Sequence, residues 1–191
     1  MEQMDRRIRK TKQRLSEALI ALILEKGYEK VTILDIIGKA DVGRSTFYTH
    51  YESKEQLFLE GHRNLGIPLF SGMGDAGGKG KSAALGFLPL FRHAGGNLPL
   101  AKAMFGKKSG DLFLGHLRDH VAERIREEFK GRFPRTKDGK AWLAYHAAAA
   151  AAAVMGFLVA WMEDGIPFPD TEIAEQARQA VLGIFSGAER A

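Results

Sequence analysis

Residues 32–58 read TILDIIGKADVGRSTFYTHYESKEQLF, and this stretch decides the fold because a helix begins, stops and restarts within it. Thr32 carries a hydroxyl that can cap a helix, and Asp35 stands three residues later as a shorter substitute for the usual capping-box glutamate. The apolar residues that follow are spaced three and four apart, which is the spacing of one helix face. The pattern therefore predicts a short helix that ends near Ala40.

The pattern breaks at residues 41–43, which read Asp-Val-Gly, and helical spacing resumes over residues 44–51. A longer helix is predicted upstream, over about residues 6–26, and Gly27 closes it. Two short helices separated by a tight turn, with Val42 as an apolar pin, form a helix-turn-helix. In this motif the first helix crosses the DNA backbone and the second enters the major groove.

The predicted helix over residues 44–51 has two faces. Phe47 and Tyr51 share one face and are expected to pack inward. The side chains expected to project away from the core are Arg44, Ser45, Tyr48 and Thr49. An arginine can donate two hydrogen bonds to guanine, and hydroxyl groups can bond to phosphates or base edges. The sequence thus predicts a DNA-reading helix that is held in place by its aromatic side.

Positive charge is concentrated at the start of the chain. The 191 residues carry a formal net charge of +5, and residues 1–14 hold six Lys or Arg against two acids. Such a basic cluster attracts nucleic acid or an anionic membrane, although a solvated helix start gives the same pattern. The chain contains no cysteine, which excludes disulfides and Cys-based zinc sites and is compatible with the cytoplasm.

The stretch 32–58 resembles the DNA-binding signature of the TetR/AcrR, or tetracycline-repressor-like, transcriptional regulators. The shared features are a Thr-capped second helix, a turn containing Val, a Thr-aromatic-Tyr recognition helix and a Ser-Lys-Glu opening of the next helix. The resemblance covers roughly residues 8–60. Asp41 departs from it, because the family often has glycine there, but Asp tolerates left-handed backbone geometry.

This resemblance implies a cytoplasmic, homodimeric transcriptional regulator, in most cases a repressor released by a small-molecule effector, and not an enzyme. It implies a helix-turn-helix DNA-binding domain over residues 1–52 and an effector-binding and dimerisation domain over residues 53–191. The residues matched to phosphate contacts are Thr32, Thr46, Tyr48 and Lys54, and those matched to bases or nearby sugar-phosphate are Arg44, Ser45, Thr49 and His50. The partner implied is a pseudo-palindromic, double-stranded DNA operator.

Helices are also predicted over most of the remaining chain. A connection at residues 66–81, with six glycines in sixteen residues, precedes them. Their approximate ranges are 82–93, 98–107, 109–130, 139–164 and 170–187. Because no convincing strand pattern is present, the sequence predicts an all-α fold in which a helical bundle follows the DNA-binding domain.

Two groups of residues resemble sites of other chemistry. The segment 74–82, GDAGGKGKS, ends like a phosphate-binding loop, but its first glycine stands one residue too early and no convincing parallel strand precedes it. His116 and His120 stand four apart on a predicted helix and could reach one ion, whereas partly solvated histidines beside a core stripe are the simpler interpretation. A nucleotide-hydrolysing enzyme is therefore a disfavoured alternative, and no metal or cofactor is predicted.

Phenylalanine is concentrated between residues 58 and 129, which hold seven of the twelve in the chain. These rings form an ordinary helix-packed core or surround an apolar cavity. Because the resembling family binds its effector in this region, the effector candidates are Phe87, Phe91, Met104, Phe113, His116 and His120.

Residues 141–162 contain no charge and include seven consecutive alanines at 147–153. Their length and terminal aromatic residues fit a membrane span, so a membrane-anchored regulator is an alternative. Alanine lets neighbouring helices approach closely, however, which favours a helix sandwiched between others and no membrane contact. In the resembling family the last two helices pair across a two-fold axis, which implies a homodimer through the helices near 139–164 and 170–187.

Overall fold

The computed structural model describes residues 2–64, 86–104 and 108–186, and these residues form helices with no strand among them. The helices are α1 (Glu2–Lys26), α2 (Ile33–Ala40), α3 (Arg44–His50), α4 (Lys54–Asn64), α5 (Leu88–Gly96), α6 (Leu98–Met104), α7 (Lys108–Phe129), α8 (Lys137–Glu163) and α9 (Asp170–Ser186). The predicted all-α fold is confirmed. The glycine-rich connection at 66–81 and the segment 74–82 lie outside the described residues.

The helix bounds differ from the prediction mainly at helix ends. α1 extends back to Glu2 instead of starting near residue 6. α5 begins at Leu88 instead of residue 82, and Pro89 lies in its first turn. Proline is accommodated there because the first N–H groups of a helix have no intrahelical partner, and its ring lacks this group. α6 is described only as far as Met104, whose side chain lies outside the described part of the chain.

The chain folds as two compact units, Met1–Pro68 with Pro99–Phe113, and Leu69–Leu98 with Leu114–Ala191. In the first unit α1 packs against α2 and α4, and α2 contacts α3. The largest fully buried side chains of these helices are Leu15, Ile23, Ile36, Phe47, Tyr51 and Leu57. Burying each one stabilises the unit by roughly 1.5–3 kcal/mol. This core holds α2 and α3 in place, because helices of 8 and 7 residues are too short to persist alone.

In the second unit α9 packs against α8 and α5. Phe129 and Phe185 stack with ring centroids 3.8 Å apart and an interplanar angle of 10°. The buried alanines of this unit include Ala147 and Ala150 of α8 and Ala177 of α9. Their small side chains allow these helices to pack closely.

Within the described part of one chain, α8 is buried on one side only, whereas the sequence predicts a helix sandwiched between others. Leu143 and Val154 belong to the buried side. Trp142 and Tyr145 are 59% and 69% exposed. An alanine run has no alternation between apolar and polar residues, so its sequence does not indicate which side faces solvent.

α8 is also long and apolar enough to cross a membrane, judged by length and composition alone. The core helix of a soluble protein passes the same test, and 39% of the most apolar window of α8 is buried inside the protein. The composition of α8 is therefore weak evidence for a membrane span.

Candidate DNA-binding surface

Helix α3 has an aromatic side inside the first unit and a polar side outside it. Phe47 and Tyr51 are 0% and 1% exposed, and their ring centroids lie 5.9 Å apart. Tyr48 is 47% exposed and meets the Phe47 ring edge-on, with 5.4 Å between ring centroids. The predicted division of this helix into two faces is confirmed.

The remaining predicted side chains of α3 lie around Tyr48. The exposed ones are Arg44, Ser45 and Thr49, and the half-buried ones are Thr46 and His50. The Arg44 guanidinium lies 5.8 Å from the Tyr48 ring centroid, within the range of a cation–π contact. Thr49 Oγ1 donates a hydrogen bond of 2.9 Å to the Ser45 carbonyl oxygen. The polar side therefore presents a guanidinium and several hydroxyls on one surface.

His50 adds an imidazole ring to this surface, and its surroundings favour the neutral form of that ring. Burial lowers the pKa of His50 below its ordinary value of 6.5, and the positive charge of Lys12 lowers it further. The Lys12 ammonium forms an ion pair of 3.8 Å with Glu60 and lies 5.3 Å from the Tyr51 ring centroid. A neutral imidazole offers one donor and one acceptor, which suits a base edge or sugar better than electrostatic attraction to phosphate.

The turn between α2 and α3 is fixed to α1. Asp41 adopts the left-handed conformation with φ 50° and ψ 55°. The Val42 N–H bonds to the Ile37 carbonyl at 3.0 Å, which continues the chain reversal. Arg14 donates to the Asp41 carbonyl at 3.4 Å and to its carboxylate at 3.3 Å. The sequence prediction assigned Arg14 only to the basic cluster, and the spacing of 27 residues gave no signal of this contact.

The predicted capping box at α2 is present. Asp35 N–H donates to Thr32 Oγ1 at 3.2 Å, and the Asp35 carboxylate accepts from the Thr32 N–H at 2.7 Å and from its hydroxyl at 2.6 Å. Lys26 lies 2.8 Å from the same carboxylate. The Lys26 hydrogen bond, followed by those from Thr32, holds the pKa of Asp35 well below its usual range. The Thr32 hydroxyl thus donates within the protein, while its side chain remains exposed.

Lys54 is held against the connection between α1 and α2. Its ammonium donates to the Val31 carbonyl at 2.9 Å and to the Tyr28 carbonyl at 3.2 Å, and it lies 4.4 Å from the Tyr28 ring centroid. Tyr28 is buried, and its hydroxyl donates to Glu55 at 3.1 Å. Burial, followed by the Glu55 charge, raises the pKa of Tyr28. An ammonium has three N–H groups, so Lys54 retains one beyond these two carbonyl bonds.

Half of a capping box is formed at the start of α4. Gln56 N–H donates to Ser53 Oγ at 3.2 Å. The Gln56 side-chain oxygen, however, accepts from the Glu52 N–H at 2.7 Å instead of from Ser53. The additional methylene of Gln relative to Asp lets its side chain reach back one residue further.

The basic cluster of α1 divides into two groups. Lys12 and Arg14 contact other parts of the first unit, as described above. The other cluster residues, which are exposed and have no such contact within the described part of the chain, are Arg6, Arg7, Arg9 and Lys10. These four side chains are available to a polyanion.

The described effector candidates belong to both units, and the side chain of Met104 lies outside the described part of the chain. Phe87 and Phe91 are buried in the second unit, where Phe91 meets Trp161 edge-on at 5.7 Å between ring centroids. Phe113 packs against Phe58 in the first unit at 5.3 Å. The exposed candidates are His116 and His120. Within the described ranges no group of three or more His, Cys, Asp or Glu side chains could hold a metal ion.

A short helix with a buried aromatic side and an exposed polar side, following a fixed turn, defines this chain as a helix-turn-helix DNA-binding protein. Residues 15–60 match the family described as bacterial regulatory proteins of the tetR family, and residues 82–183 match the family described as a transcriptional regulator C-terminal region. The chain belongs to the TetR family of transcriptional regulators. Members of this family are soluble DNA-binding regulators and not enzymes, so the nucleotide-hydrolysing and membrane-anchored alternatives are not favoured.

Similar proteins support this assignment over different lengths. The chain is 42% identical over 57 residues to the uncharacterized HTH-type transcriptional regulator YxbF of Bacillus subtilis (strain 168). The matched segment covers 29% of this chain and 15% of that protein. It is 45% identical over 51 residues to the probable acrEF/envCD operon repressor of Escherichia coli (strain K12), which covers 27% of this chain and 23% of that protein. The crystal structure of a TetR transcriptional regulator from Streptococcus agalactiae 2603V has the same fold, with a TM-score of 0.63 and 23% identity over 93% of this chain and 97% of that chain.

Proposed function

We propose that this protein is a cytoplasmic, ligand-released repressor that binds a pseudo-palindromic operator as a homodimer. TetR-family regulators bind DNA operators and small-molecule effectors and form dimers. The observation that carries the proposal is the solvent-facing side of α3, where Arg44, Ser45 and Thr49 are exposed together with the Tyr48 ring, and the Arg44 guanidinium lies over that ring. The name of the Escherichia coli relative supports repression.

The residues on this surface have two proposed roles. The bases or nearby sugar-phosphate are contacted by Arg44, Ser45, Thr49 and His50. Phosphates are contacted by Thr46, Tyr48 and Lys54, and by Thr32 when its hydroxyl turns from the Asp35 carboxylate to a phosphate oxygen. The third N–H of Lys54 makes its contact while the other two stay on the Tyr28 and Val31 carbonyls, so Lys54 also orients the start of α4 relative to the surface. The four exposed cations at the start of α1 add salt-dependent attraction.

Dimerisation is assigned to α8 and α9. The exposed side of α8 places Trp142 and Tyr145 beside exposed alanines that include Ala148 and Ala152. A second copy that packs its own α8 against this side would bury both rings, and the alanines would let the two backbones approach. Two α3 helices would then enter successive major grooves about 34 Å apart.

Residues 1–52 are proposed to bind DNA, and residues 53–191 to bind the effector and the second subunit. The effector candidates remain Phe87, Phe91, Met104, Phe113, His116 and His120. An effector releases the operator only to the extent that it binds the DNA-free state more tightly than the DNA-bound state.

The test is retention of DNA by the full-length protein. Genomic fragments that the protein retains are selected, and binding of a retained fragment is compared with that of a random duplex at one fixed salt concentration. Tyr48→Phe should weaken binding of both duplexes alike, because a phosphate contact carries no sequence information. Arg44→Ala should lower the preference for the retained fragment, with a loss of about 1–3 kcal/mol on that fragment.

Arg118→Ala is the matched control, because Arg118 is an exposed arginine on α7 and belongs to no part of the proposed surface. It should leave both measurements unchanged. If Tyr48→Phe and Arg44→Ala both behave like Arg118→Ala, the polar side of α3 does not read DNA and the proposal fails.

A further inference from the structure

A cavity of about 550 Å³ lies at the connection between α7 and α8 in the second unit. Its apolar lining comes from Phe133, Pro134 and Leu143. Cavities of roughly 300–1,000 Å³ are the size that holds a metabolite-sized ligand. None of the effector candidates predicted from sequence lines this cavity, so it is a separate candidate site.

The charged side chains that line the cavity are all cationic, namely Lys130, Arg135 and Lys140. Lys130 is already paired with Glu127 at 2.6 Å. Arg135 and Lys140 are exposed, and no acidic partner is found for either within the described part of the chain. An anion in the cavity would therefore meet two cations, neither of which is paired with an acidic side chain in the described part of the chain.

The walls of the cavity are held together without a ligand. Gly139, in the first turn of α8, packs so closely on the Pro134 carbonyl that a Cβ atom at this position would overlap it. The Phe133 ring lies 6.0 Å from the Phe185 ring and 5.4 Å from the His146 ring, measured between centroids. These contacts hold the apolar wall of the cavity in place, so a ligand has to order only the exposed side chains of Arg135 and Lys140.

We propose that this cavity binds an organic carboxylate with an apolar body. Arg135 and Lys140 hold the carboxylate, and Phe133 and Leu143 contact the apolar part. A guanidinium matches the two oxygens of a carboxylate with two parallel hydrogen bonds, which an ammonium alone does not. The proposal goes beyond the proposed function, because it concerns a different set of residues and is tested without DNA.

The test uses 2-naphthoate and its neutral analogue 2-naphthamide, which have the same ring system and differ in charge. Both are titrated into the full-length protein by isothermal titration calorimetry at one ionic strength. We expect one naphthoate per chain and at least tenfold weaker binding of naphthamide. The double variant Arg135→Gln/Lys140→Gln should weaken naphthoate binding about tenfold and leave naphthamide binding unchanged.

Lys137→Gln is the matched control, because Lys137 is an exposed cation at the start of α8 that does not line the cavity. It should bind naphthoate like the unaltered protein. A second variant, Leu143→Trp, fills the cavity and should weaken both probes, and circular dichroism checks that each variant keeps its helices.

Three results would each overturn the proposal. The first is equal affinity for naphthoate and naphthamide. The second is an equal loss of naphthoate binding in Lys137→Gln, which would indicate general charge attraction. The third is a double variant that binds naphthoate as tightly as the unaltered protein, because Arg135 and Lys140 would then not hold the carboxylate.

Discussion

The two faces of α3 predict that substitutions at neighbouring positions separate stability from DNA binding. Phe47 is 0% exposed, and replacing a buried phenylalanine with alanine costs about 3–5 kcal/mol. Whole domains are commonly stable by only about 5–15 kcal/mol. Since α3 has seven residues and cannot persist alone, Phe47→Ala should remove a large part of the stability of the first unit. Tyr48→Ala removes a side chain that is 47% exposed and should change stability by about 1 kcal/mol or less.

Hydrogen–deuterium exchange read by mass spectrometry measures these effects helix by helix. Phe47→Ala should increase hydrogen exchange throughout α1 to α4. Tyr48→Ala should leave hydrogen exchange nearly unchanged, and this variant should no longer retain DNA. Trp142 and Trp161 both belong to the second unit, so their fluorescence checks that this unit stays folded in either variant. Phe47→Leu keeps most of the apolar volume and should have a smaller effect than Phe47→Ala.

The opposite ranking would refute the reasoning. If Phe47→Ala changed the free energy of unfolding of α1 to α4, as read from hydrogen exchange, by less than about 1 kcal/mol, Phe47 would not anchor α3. If Tyr48→Ala increased exchange as strongly as Phe47→Ala, Tyr48 would be part of the core and its loss of DNA binding would be uninformative.

Three further predictions follow from other contacts. Gly139→Ala should lower the melting temperature of the second unit, because the added Cβ would overlap the Pro134 carbonyl. Gly115→Ala in α7, where the added Cβ has open space, should instead stabilise the protein by about 0.5–1 kcal/mol. Equal effects of the two substitutions in calorimetry would contradict the close packing at Gly139. Tyr145→Arg should shift the protein from dimer to monomer in analytical ultracentrifugation, and an unchanged dimer would remove this side of α8 from the interface. Hydrogen bonds from Lys26 and Thr32 lower the pKa of Asp35 in the folded state. The stability that Asp35 contributes is therefore present above its ordinary pKa of 3.8 and is lost as the pH falls through its lower folded-state pKa. An NMR titration of Asp35 with a midpoint at or above pH 3.8 would disprove this.

Much of the DNA-binding surface was predictable because its signals are local. Thr32 and Asp35 are three residues apart, and helical spacing alone placed Phe47 and Tyr51 on the side opposite Tyr48. The positions of Arg14 and Lys54 were not predictable in the same way. Arg14 reaches Asp41, 27 residues away, and Lys54 reaches the Val31 carbonyl, 23 residues away, and neither contact leaves a periodic pattern in the sequence.

The sequence by itself determined the helices, the turn and the two faces of α3, because capping, backbone preference and helical periodicity act within a few residues. Only the tertiary structure decided that Trp142 and Tyr145 face solvent, and that Phe133, Arg135, Lys140 and Leu143 surround one cavity. A run of alanines has no polar side, so the sequence does not show which side of the helix packs against other helices. The cavity depends on how closely Gly139 approaches Pro134. Both features arise from packing between segments, which local preferences do not specify.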